Sequence, residues 1–389
     1  MTISRVTIFQ LDWGRLSSIW HPVVVMVQTT TGQCGWGEAG IAYGTGARGA
    51  VSILKELAPR IIGRNIWDSN AIWEDFYEHT FWAKNPGSTM YAAISALDTA
   101  IWDLKAQAIH QPLYQLLGGK LHDQLPAYAS HIEYGWGPFS RYVTVPRDFA
   151  RLAKRAVEQG YSAIKVDPIT QERGQGLIHN RHLLSPAQLD RYYQRVAAIR
   201  QAVGPDVRII IDCHANLTRR SAQQLVQRLA PLGIDYYEEL LPSIDPAQTV
   251  RLARETGANL AVGEHLTGPQ TYLPLIKDVA MVQPDLGNCG GITAAIKIAA
   301  LAEANGVGLQ LHVCGSPIAT AAALQFEAAC SNFVIHEEHE INLKDANYQS
   351  GQYHYQPVNG QYQVPDRPGI GQELSPIAIK HAQVTIIDK

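Results

Sequence analysis

The chain has 389 residues, of which 46% are hydrophobic and 17% charged, and its 32 basic and 35 acidic side chains leave a formal charge of −3 at pH 7. This length exceeds one hydrophobic core, so we expect one large domain with a smaller one beside it. The composition argues against a disordered chain, and the nearly balanced charge argues against a nucleic-acid binder.

The sequence contains neither a membrane span nor a secretory signal. No run approaches the roughly 18 apolar residues that a spanning helix needs, and the opening segment MTISRVTIFQLDWGR lacks the apolar block of a signal peptide. We therefore expect a cytoplasmic protein without a membrane partner. The cysteines are far apart and form no CxxC pair, which favours reduced, mostly buried thiols at Cys34, Cys213, Cys289, Cys314 and Cys330.

The first 123 residues predict an α+β unit of their own. A helical pattern begins at Ser88, with apolar residues recurring every three or four positions to about Gln107. Two segments rich in glycine and aromatic residues, 14–21 and 40–49, are typical of loops that close over a site. Three short runs predict strands at Ile3–Leu11, Val23–Thr29 and Gly35–Glu38.

Beyond residue 123, short β-rich runs alternate with amphipathic helical stretches. Eight such runs within about 210 residues predict a parallel β/α barrel of the α/β class. An open doubly wound sheet is the competing interpretation, but segment 287–291 is a weak match to its phosphate loop. The predicted strands are Leu125–His131, Ser162–Asp167, Val207–His214, Ile234–Glu238, Leu260–Glu264, Met281–Asp285, Val307–His312 and Asn332–Glu337.

Acidic residues end three successive predicted strands. Asp212, Glu238 and Glu264 follow one another at intervals of 26 residues, about one strand–helix unit each. Because the active site of such a barrel lies where its strands end, these carboxylates would converge and repel one another without a cation. Oxygen ligands favour Mg²⁺ over zinc. The alternative is that one or two of them are ordinary acids on the barrel rim.

The next two strands end in an aspartate and a histidine. Asp285 and His312 face inward on neighbouring strands, so the carboxylate could hold the imidazole in one tautomer and raise its basicity. We interpret the pair as a general base, the alternative being a satisfied rim histidine. His214 has the same facing as Asp212 and is a candidate general acid, with a metal-ligand role as the rival interpretation.

Other inward-facing groups are candidates for binding substrate. Lys165 either holds a substrate carboxylate or pairs with Asp167, which lies inside the barrel with it. Glu337 faces inward and Glu338 outward, so Glu337 is the candidate contact to a substrate carboxylate. We expect specificity to come from the loops of the first unit and from the polar insert 170–182, with Trp13, Trp20, His21 and Tyr43 as candidates.

Six stretches spread along the chain carry a family resemblance. They are SALDTAIWDLKAQAIHQPLYQLLGGK, IDCHAN, YYEEL, AVGEH, VQPDLGNCGGIT and LHVCGSPIATAAALQF. Together they resemble the enolase superfamily, specifically the acid-sugar dehydratases of its mandelate racemase subgroup. The resemblance implies a homo-oligomer whose subunit has a modified (β/α)7β barrel, residues 124–354, and an N-terminal capping domain, residues 1–123, completed by residues 355–389.

The resemblance also implies roles for the residues singled out above. The family's magnesium ligands correspond to Asp212, Glu238 and Glu264, and its His–Asp base to His312 and Asp285. The Asp-x-His pattern at Asp212 and His214 looks like that of galactonate and mannonate dehydratases, in which the histidine protonates the leaving group. Two departures are Asp167, where many relatives have the second lysine of a Lys-x-Lys motif, and Leu240, where a proline usually follows the Glu-Glu pair.

The implied reaction is the dehydration of an aldonic or aldaric acid. His312 would remove the C2 proton and His214 would protonate the departing 3-hydroxyl, which gives a 2-keto-3-deoxy acid. Epimerisation or sugar-lactone cycloisomerisation through the same ene-diolate is the alternative. A metal-dependent hydrolase is disfavoured because segment 130–133 offers one histidine rather than a His-x-His pair. A binding protein that kept the fold is disfavoured because the metal, base and acid positions are all filled.

Overall fold

The computed structural model describes residues 1–12, 20–85, 87–138, 141–169, 171–172, 176–177 and 182–388. Its strands are β1 (Ile3–Gln10), β2 (Val23–Thr29), β3 (Cys34–Ala39), β4 (Gln124–Ser130), β5 (Ala163–Val166), β6 (Gln171–Glu172), β7 (Gly176–Leu177), β8 (Arg208–Asp212), β9 (Ile234–Glu238), β10 (Leu260–Val262), β11 (Met281–Val282), β12 (Gly308–Leu309), β13 (His336–His339), β14 (Gln361–Gln363) and β15 (Gln383–Asp388).

The α-helices of the described chain are α1 (Gly46–Ile61), α2 (Ser69–Glu78), α3 (Ser88–Ala108), α4 (Leu113–Leu116), α5 (Pro146–Glu158), α6 (Pro186–Val203), α7 (Arg219–Leu229), α8 (Pro246–Thr256), α9 (Gly291–Ala304), α10 (Pro317–Ala328), α11 (Asp345–Tyr348) and α12 (Pro376–His381). Among these residues, every helix is too short or too polar to cross a membrane. The cytoplasmic location and the homo-oligomeric state stay predictions.

The N-terminal part folds as an α+β unit. Strands β15, β1, β2 and β3 form an antiparallel sheet in that order, and α1 and α3 pack on it. A Cβ atom on Gly37 of β3 would lie 2.1 Å from the Ala96 carbonyl oxygen of α3, so this close approach requires glycine. Helix α3 begins at Ser88 as predicted, but its N-cap is Gly87, without a side-chain cap.

The second sheet is parallel and curls into a barrel. Its order is β4, β5, β8, β9, β10, β11 and β12, with β13 on the other side of β4. The Leu309 N–H donates to the Asn332 carbonyl at 2.8 Å, and the Val334 N–H donates to the Leu309 carbonyl at 2.9 Å, which joins the two ends. This is the predicted modified (β/α)7β barrel. Helices follow most strands, whereas a 3-10 turn, Pro269–Tyr272, lies between β10 and β11.

The eighth predicted strand is the one that differs most from the structure. It was expected at Asn332–Glu337, but β13 begins at His336, where its ladder with β4 starts. Residues 332–334 bond instead to Leu309, so they close the barrel rather than extend β13. The division into residues 1–123 with 355–389, and residues 124–354, stays a prediction: β15 joins β1, while β14 pairs with β4 of the barrel.

Strand alternation decides which side chains reach the barrel mouth. Tyr128, Ile210 and Tyr236 belong to a buried cluster inside the barrel, together with residues of four other segments. Asp212 and Glu238 lie two residues beyond Ile210 and Tyr236, so they project to the same side one layer higher. The carboxyl ends of the strands therefore present polar side chains above an apolar floor.

Candidate active site

The three predicted metal ligands lie at the ends of neighbouring strands. Asp212 pairs with Glu238 in the register of β8 and β9, and Glu264 comes two residues after β10. The side chains of Asp212, Glu238 and Glu264 are 1%, 2% and 13% exposed. Burial, reinforced by neighbouring carboxylates, raises the pKa of Glu238 to about 8. Because buried carboxylates repel one another, these three acids need a positive charge between them.

Lys165 supplies part of that positive charge. Its ammonium lies 3.2 Å from Asp212 Oδ2 and 2.8 Å from Glu337 Oε1, and it also donates to Glu238 Oε1. Burial lowers the pKa of Lys165, but Glu238 and Glu337 outweigh burial and raise it well above its ordinary value. The predicted alternative of a pair with Asp167 is wrong, since the partners of Lys165 are these three acids.

Replacing Lys165 by Met should destabilise the protein in the presence of a chelator. Removing one partner of a buried ion pair leaves an uncompensated charge, which typically costs about 3–5 kcal/mol. Denaturant unfolding of the two proteins measures the difference. Lys297→Met is the control, because Lys297 is exposed and lies 3.8 Å from Glu74. If the Lys165 variant loses no more stability than the control, the buried acids do not depend on the Lys165 ammonium for charge compensation.

The role of a histidine just after the first barrel strand, His131, was missed by the sequence reasoning. The ligand atoms of His131, Asp212 and His214 lie within 4.8 Å of one another, which makes them a possible metal group within the described residues. However, His131 Nδ1 is 3.0 Å from Glu133 Oε1 and its Nε2 is 3.3 Å from Asp212 Oδ2. Burial lowers the pKa of His131, but Glu133 and Asp212 raise it to about 9.

Both ring nitrogens of His131 face carboxylates, Nδ1 that of Glu133 and Nε2 that of Asp212. We therefore interpret His131 as a support for Asp212, with a role as metal ligand as the alternative. The carboxylates Asp212, Glu238 and Glu264 offer the oxygen donors that suit Mg²⁺, the ion that the resemblance implies. The signal for His131 in the sequence was its place at the end of β4, with Glu133 two residues later.

The predicted His–Asp pair is in contact. His312 Nδ1 lies 2.8 Å from Asp285 Oδ2, and Asp285 Oδ1 accepts the Gly287 N–H at 2.7 Å. His312 Nε2 lies 3.0 Å from Oε2 of Glu264, one of the three predicted metal ligands. Burial lowers the pKa of His312, but Glu264 and Asp285 raise it to about 10. A cation on Glu264 would weaken that effect and bring His312 toward the range of a useful base.

His214 forms a second His–Asp pair. Its Nδ1 lies 2.7 Å from Asp167 Oδ2, and its ring stacks on that of His131 with centroids 4.7 Å apart. The φ angle of His214 is +45°, in the left-handed region, because the chain turns sharply just after β8. Burial lowers the pKa of His214, but Asp212 and Asp167 raise it well above its ordinary value. A protonated imidazole suits a general acid.

Glu337 faces inward as expected, but its oxygens already have partners. Oε1 accepts from Ser130 Oγ at 2.7 Å, and Oε2 accepts from the Val313 N–H at 2.8 Å. With Lys165 also in contact, Glu337 belongs to the ion network below the mouth. A direct contact between Glu337 and a substrate carboxylate stays a prediction.

The predicted specificity residues have different environments. Trp20 is 3% exposed and clusters with Ala42 and Ile341, so it packs between the first unit and the barrel. The His21 N–H donates to the Ala42 carbonyl at 2.7 Å, and Tyr43 is 59% exposed. Trp13 and most of the insert 170–182 lie outside the described residues. Their part in specificity, like that of Trp20 and His21, stays a prediction.

Two further residues at the site were not singled out from the sequence. Gln283 donates from Nε2 to Glu238 Oε2 at 2.6 Å and so orients that carboxylate. His265 lies 3.3 Å from Glu264 Oε1 and 3.5 Å from Glu239 Oε2. Glu264 raises the pKa of His265 to about 9. Gln283 and His265 are therefore placed to hold the predicted metal ligands Glu238 and Glu264 in position.

Two family models match the chain. The model described as enolase C-terminal domain-like matches residues 148–378, and the mandelate racemase/muconate lactonizing enzyme N-terminal domain matches residues 17–118. The first match alone spans more than half of the 389 residues. The chain belongs to the enolase superfamily. The resemblance read from the six motifs, to its mandelate racemase subgroup, is thereby confirmed.

Two relatives of this enolase superfamily member are named as dehydratases. The chain is 33% identical to the D-gluconate dehydratase of Thermoproteus tenax over 310 residues. These residues make up 79% of this chain and 59% of that protein. The chain is 29% identical to the D-galactonate dehydratase of Pectobacterium atrosepticum, over 96% of this chain and 92% of that one. A solved enolase superfamily structure from Salmonella Typhimurium superposes with a TM-score of 0.96 at 40% identity, over the whole of both chains.

Proposed function

We propose that this enzyme is a magnesium-dependent sugar-acid dehydratase. The observation that carries the proposal is the pair of His–Asp contacts on opposite sides of the barrel mouth, His312 with Asp285 and His214 with Asp167. The relatives named for gluconate and galactonate support a hydro-lyase that acts on sugar acids. The substrate is an aldonic or aldaric acid and the product is its 2-keto-3-deoxy acid.

His312 takes the proton from C2. Asp285 accepts the Nδ1–H of the imidazole, which leaves Nε2 as the basic atom, on the side of Glu264. Loss of the proton produces an ene-diolate with two negative charges at the substrate carboxylate, and catalysis depends on stabilising them where they develop. Lys165 contributes a fixed positive charge below this point.

His214 donates a proton to the departing 3-hydroxyl. Because Asp167 holds its Nδ1, the Nε2 atom is the one available to substrate, and the side chain is 32% exposed toward the mouth. Breaking the C3–O bond uses the electron pair of the ene-diolate, and the resulting enol tautomerises to the 2-keto acid. A positioned acid of this kind contributes typically 10²–10⁴-fold.

Asp212, Glu238 and Glu264 would hold the magnesium ion. When bound, Mg²⁺ supplies Lewis-acid stabilisation of the charge on the substrate carboxylate. Gln283 and His131 keep Glu238 and Asp212 oriented through the contacts described above.

Replacing Glu238 by Gln should weaken Mg²⁺ binding by about 10–100-fold, because an anionic ligand is lost while the shape is kept. Isothermal calorimetry on the chelator-treated protein measures this directly. Glu255→Gln is the control, since Glu255 lies outside the barrel mouth, paired with Arg219 and Arg251. Unchanged affinity in Glu238→Gln together with lost affinity in His131→Asn would assign the ion to the histidine side instead.

The experiment that tests the function is a substrate screen. The Mg²⁺-loaded enzyme is incubated with a library of aldonic and aldaric acids, and 2-keto acid is detected with semicarbazide. We expect one acid or a small stereochemical group to give product. No keto acid from any member would contradict the dehydratase proposal.

Epimerisation at C2 is the second candidate function, and one observation favours it. Strands β8 and β12, the third and seventh of the eight in the barrel order, lie opposite each other. A His–Asp pair next to each could exchange the C2 proton on both faces of one ene-diolate. Proton NMR of the product mixture separates the two functions: an epimer retains its 3-hydroxyl, whereas the dehydration product shows a methylene at C3.

A further inference from the structure

The loops that carry the proposed base both lead into barrel helices. The Asp285 loop, residues 285–290, runs into α9, and the His312 loop, residues 312–316, runs into α10. Each of these helix N-termini is bonded by a carboxylate of the N-terminal unit, Asp98 for α9 and Glu38 for α10. Carboxylates are favourable at such positions because the first backbone N–H groups of a helix lack partners.

Glu38 projects from β3 and is 3% exposed. Its Oε1 accepts the Ser316 N–H at 3.0 Å, and its Oε2 accepts from Ser316 Oγ at 2.5 Å. Ser316 in turn caps α10 by accepting the Ile318 N–H at 3.2 Å. Three residues separate this anchored serine from His312. Burial raises the pKa of Glu38 to about 7 despite these bonds.

Asp98 on α3 makes the matching contact. Its Oδ1 accepts from Thr293 Oγ1 at 2.6 Å, and its Oδ2 accepts the Thr293 N–H at 2.9 Å. Ser95, one turn earlier, accepts the Gly290 N–H at 2.9 Å. A Cβ on Gly291 would lie 2.4 Å from Asp98 Oδ2, so this close contact leaves no space for a side chain at position 291.

The backbone of the N-terminal unit also touches the loop directly. The Gly40 N–H donates to the Gly287 carbonyl at 2.7 Å. A Cβ on Gly40 would lie 2.7 Å from Asp285 Oδ1, the oxygen that binds the Gly287 N–H. The end of β3 therefore packs against the aspartate of the pair from behind.

We propose that Glu38 and Asp98 are positioning residues for the base. By fixing Ser316 and Thr293 they hold the two loops at one separation, so that His312 and Asp285 remain within hydrogen-bond distance. The N-terminal unit thus contributes to proton abstraction. This inference rests on the proposed function of His312, and it adds residues that make no contact with substrate.

The test compares Glu38→Gln, Asp98→Asn and Ser316→Ala with the parent enzyme. In Glu38→Gln the amide oxygen can still accept the Ser316 N–H, but an NH2 group replaces Oε2, so the Ser316 hydroxyl loses its acceptor and the contact weakens without a change in size. We expect kcat to fall about 10–100-fold, while KM and Mg²⁺ affinity change less than twofold. Glu78→Gln is the control, because Glu78 is an exposed glutamate paired with Lys84.

Amide hydrogen exchange gives a readout that does not depend on turnover. We expect faster exchange at residues 312–316 in Glu38→Gln and at residues 285–290 in Asp98→Asn, with exchange elsewhere unchanged. Unaltered kcat and unaltered exchange in these loops would overturn the inference. An equal loss of protection over the whole chain would also overturn it, because such a loss indicates general destabilisation. If Glu38→Gln does not fold, Ser316→Ala provides the same test. If the parent yields no keto acid, the dehydratase proposal fails while the exchange data still decide the positioning role.

Discussion

Replacing His312 by Asn should lower the dehydration rate by about 10³–10⁴-fold while the protein remains folded and still binds Mg²⁺. The asparagine keeps a polar group beside Asp285 but has no basic nitrogen, so the C2 proton of the substrate has no acceptor on that face. The parent contact of 2.8 Å between His312 Nδ1 and Asp285 Oδ2 indicates that the imidazole is already oriented for this step. Exchange of the C2 hydrogen with D₂O should disappear together with dehydration.

A matched histidine keeps this prediction specific. His122 binds the Cys330 carbonyl at 3.0 Å on the outside of the barrel, and His122→Asn should retain the parent rate. Asp285→Asn should give an intermediate loss, because it disturbs the tautomer of His312 without removing the base. If His312→Asn dehydrates a sugar acid at the parent rate, another residue removes the C2 proton.

Most of the fold could be predicted from the sequence because two periodicities are strong. The alternation of short β-rich runs with amphipathic helices gave the barrel, and the ends of its strands gave Asp212, Glu238 and His312 as inward-facing groups. The same reasoning predicted the contact of His312 with Asp285, since both lie at corresponding positions of neighbouring strands. Alternation within a strand thus carries information about pairs as well as about single residues.

The partners of Lys165 could not be predicted in the same way. Asp167 is its neighbour in sequence, but a side chain two residues along a strand lies one layer higher and nearer the mouth. There Asp167 meets His214, while Lys165 reaches across to the acids Glu238 and Glu337 of other strands. The correct pairing required knowledge of the layers inside the barrel.

The contacts between the two units were also outside the reach of sequence reasoning. Glu38 and Ser316 are 278 positions apart, and Asp98 and Thr293 are 195 apart. No periodicity links such residues, because the pairing depends on how one folded unit docks on another. The sequence indicated only that α3 has small residues along much of its length, which permits close packing but does not choose its partner.

Replacing His214 by Asn should lower dehydration by about 10²–10³-fold but leave proton exchange at C2. His312, Asp285 and the metal ligands stay in place in this variant, so the ene-diolate still forms and returns. The 3-hydroxyl then lacks a proton donor, and a poor leaving group departs slowly. In D₂O the variant should therefore incorporate deuterium at C2 of a true substrate while producing little keto acid.

The ratio of exchange to dehydration is the quantity that distinguishes the mechanisms. A histidine that served only to bind substrate would lower both rates together, whereas loss of the acid raises the ratio about 10²-fold or more, because only the later step is slowed. Asp167→Asn should shift the ratio in the same direction by a smaller factor, since it weakens the hold on His214 Nδ1 without removing the imidazole.

Dehydration at the parent rate in His214→Asn would show that another group protonates the hydroxyl. If His214→Asn instead stops exchange of one C2 epimer and not of the other, the second His–Asp pair acts as a base, and the epimerase alternative accounts for the site.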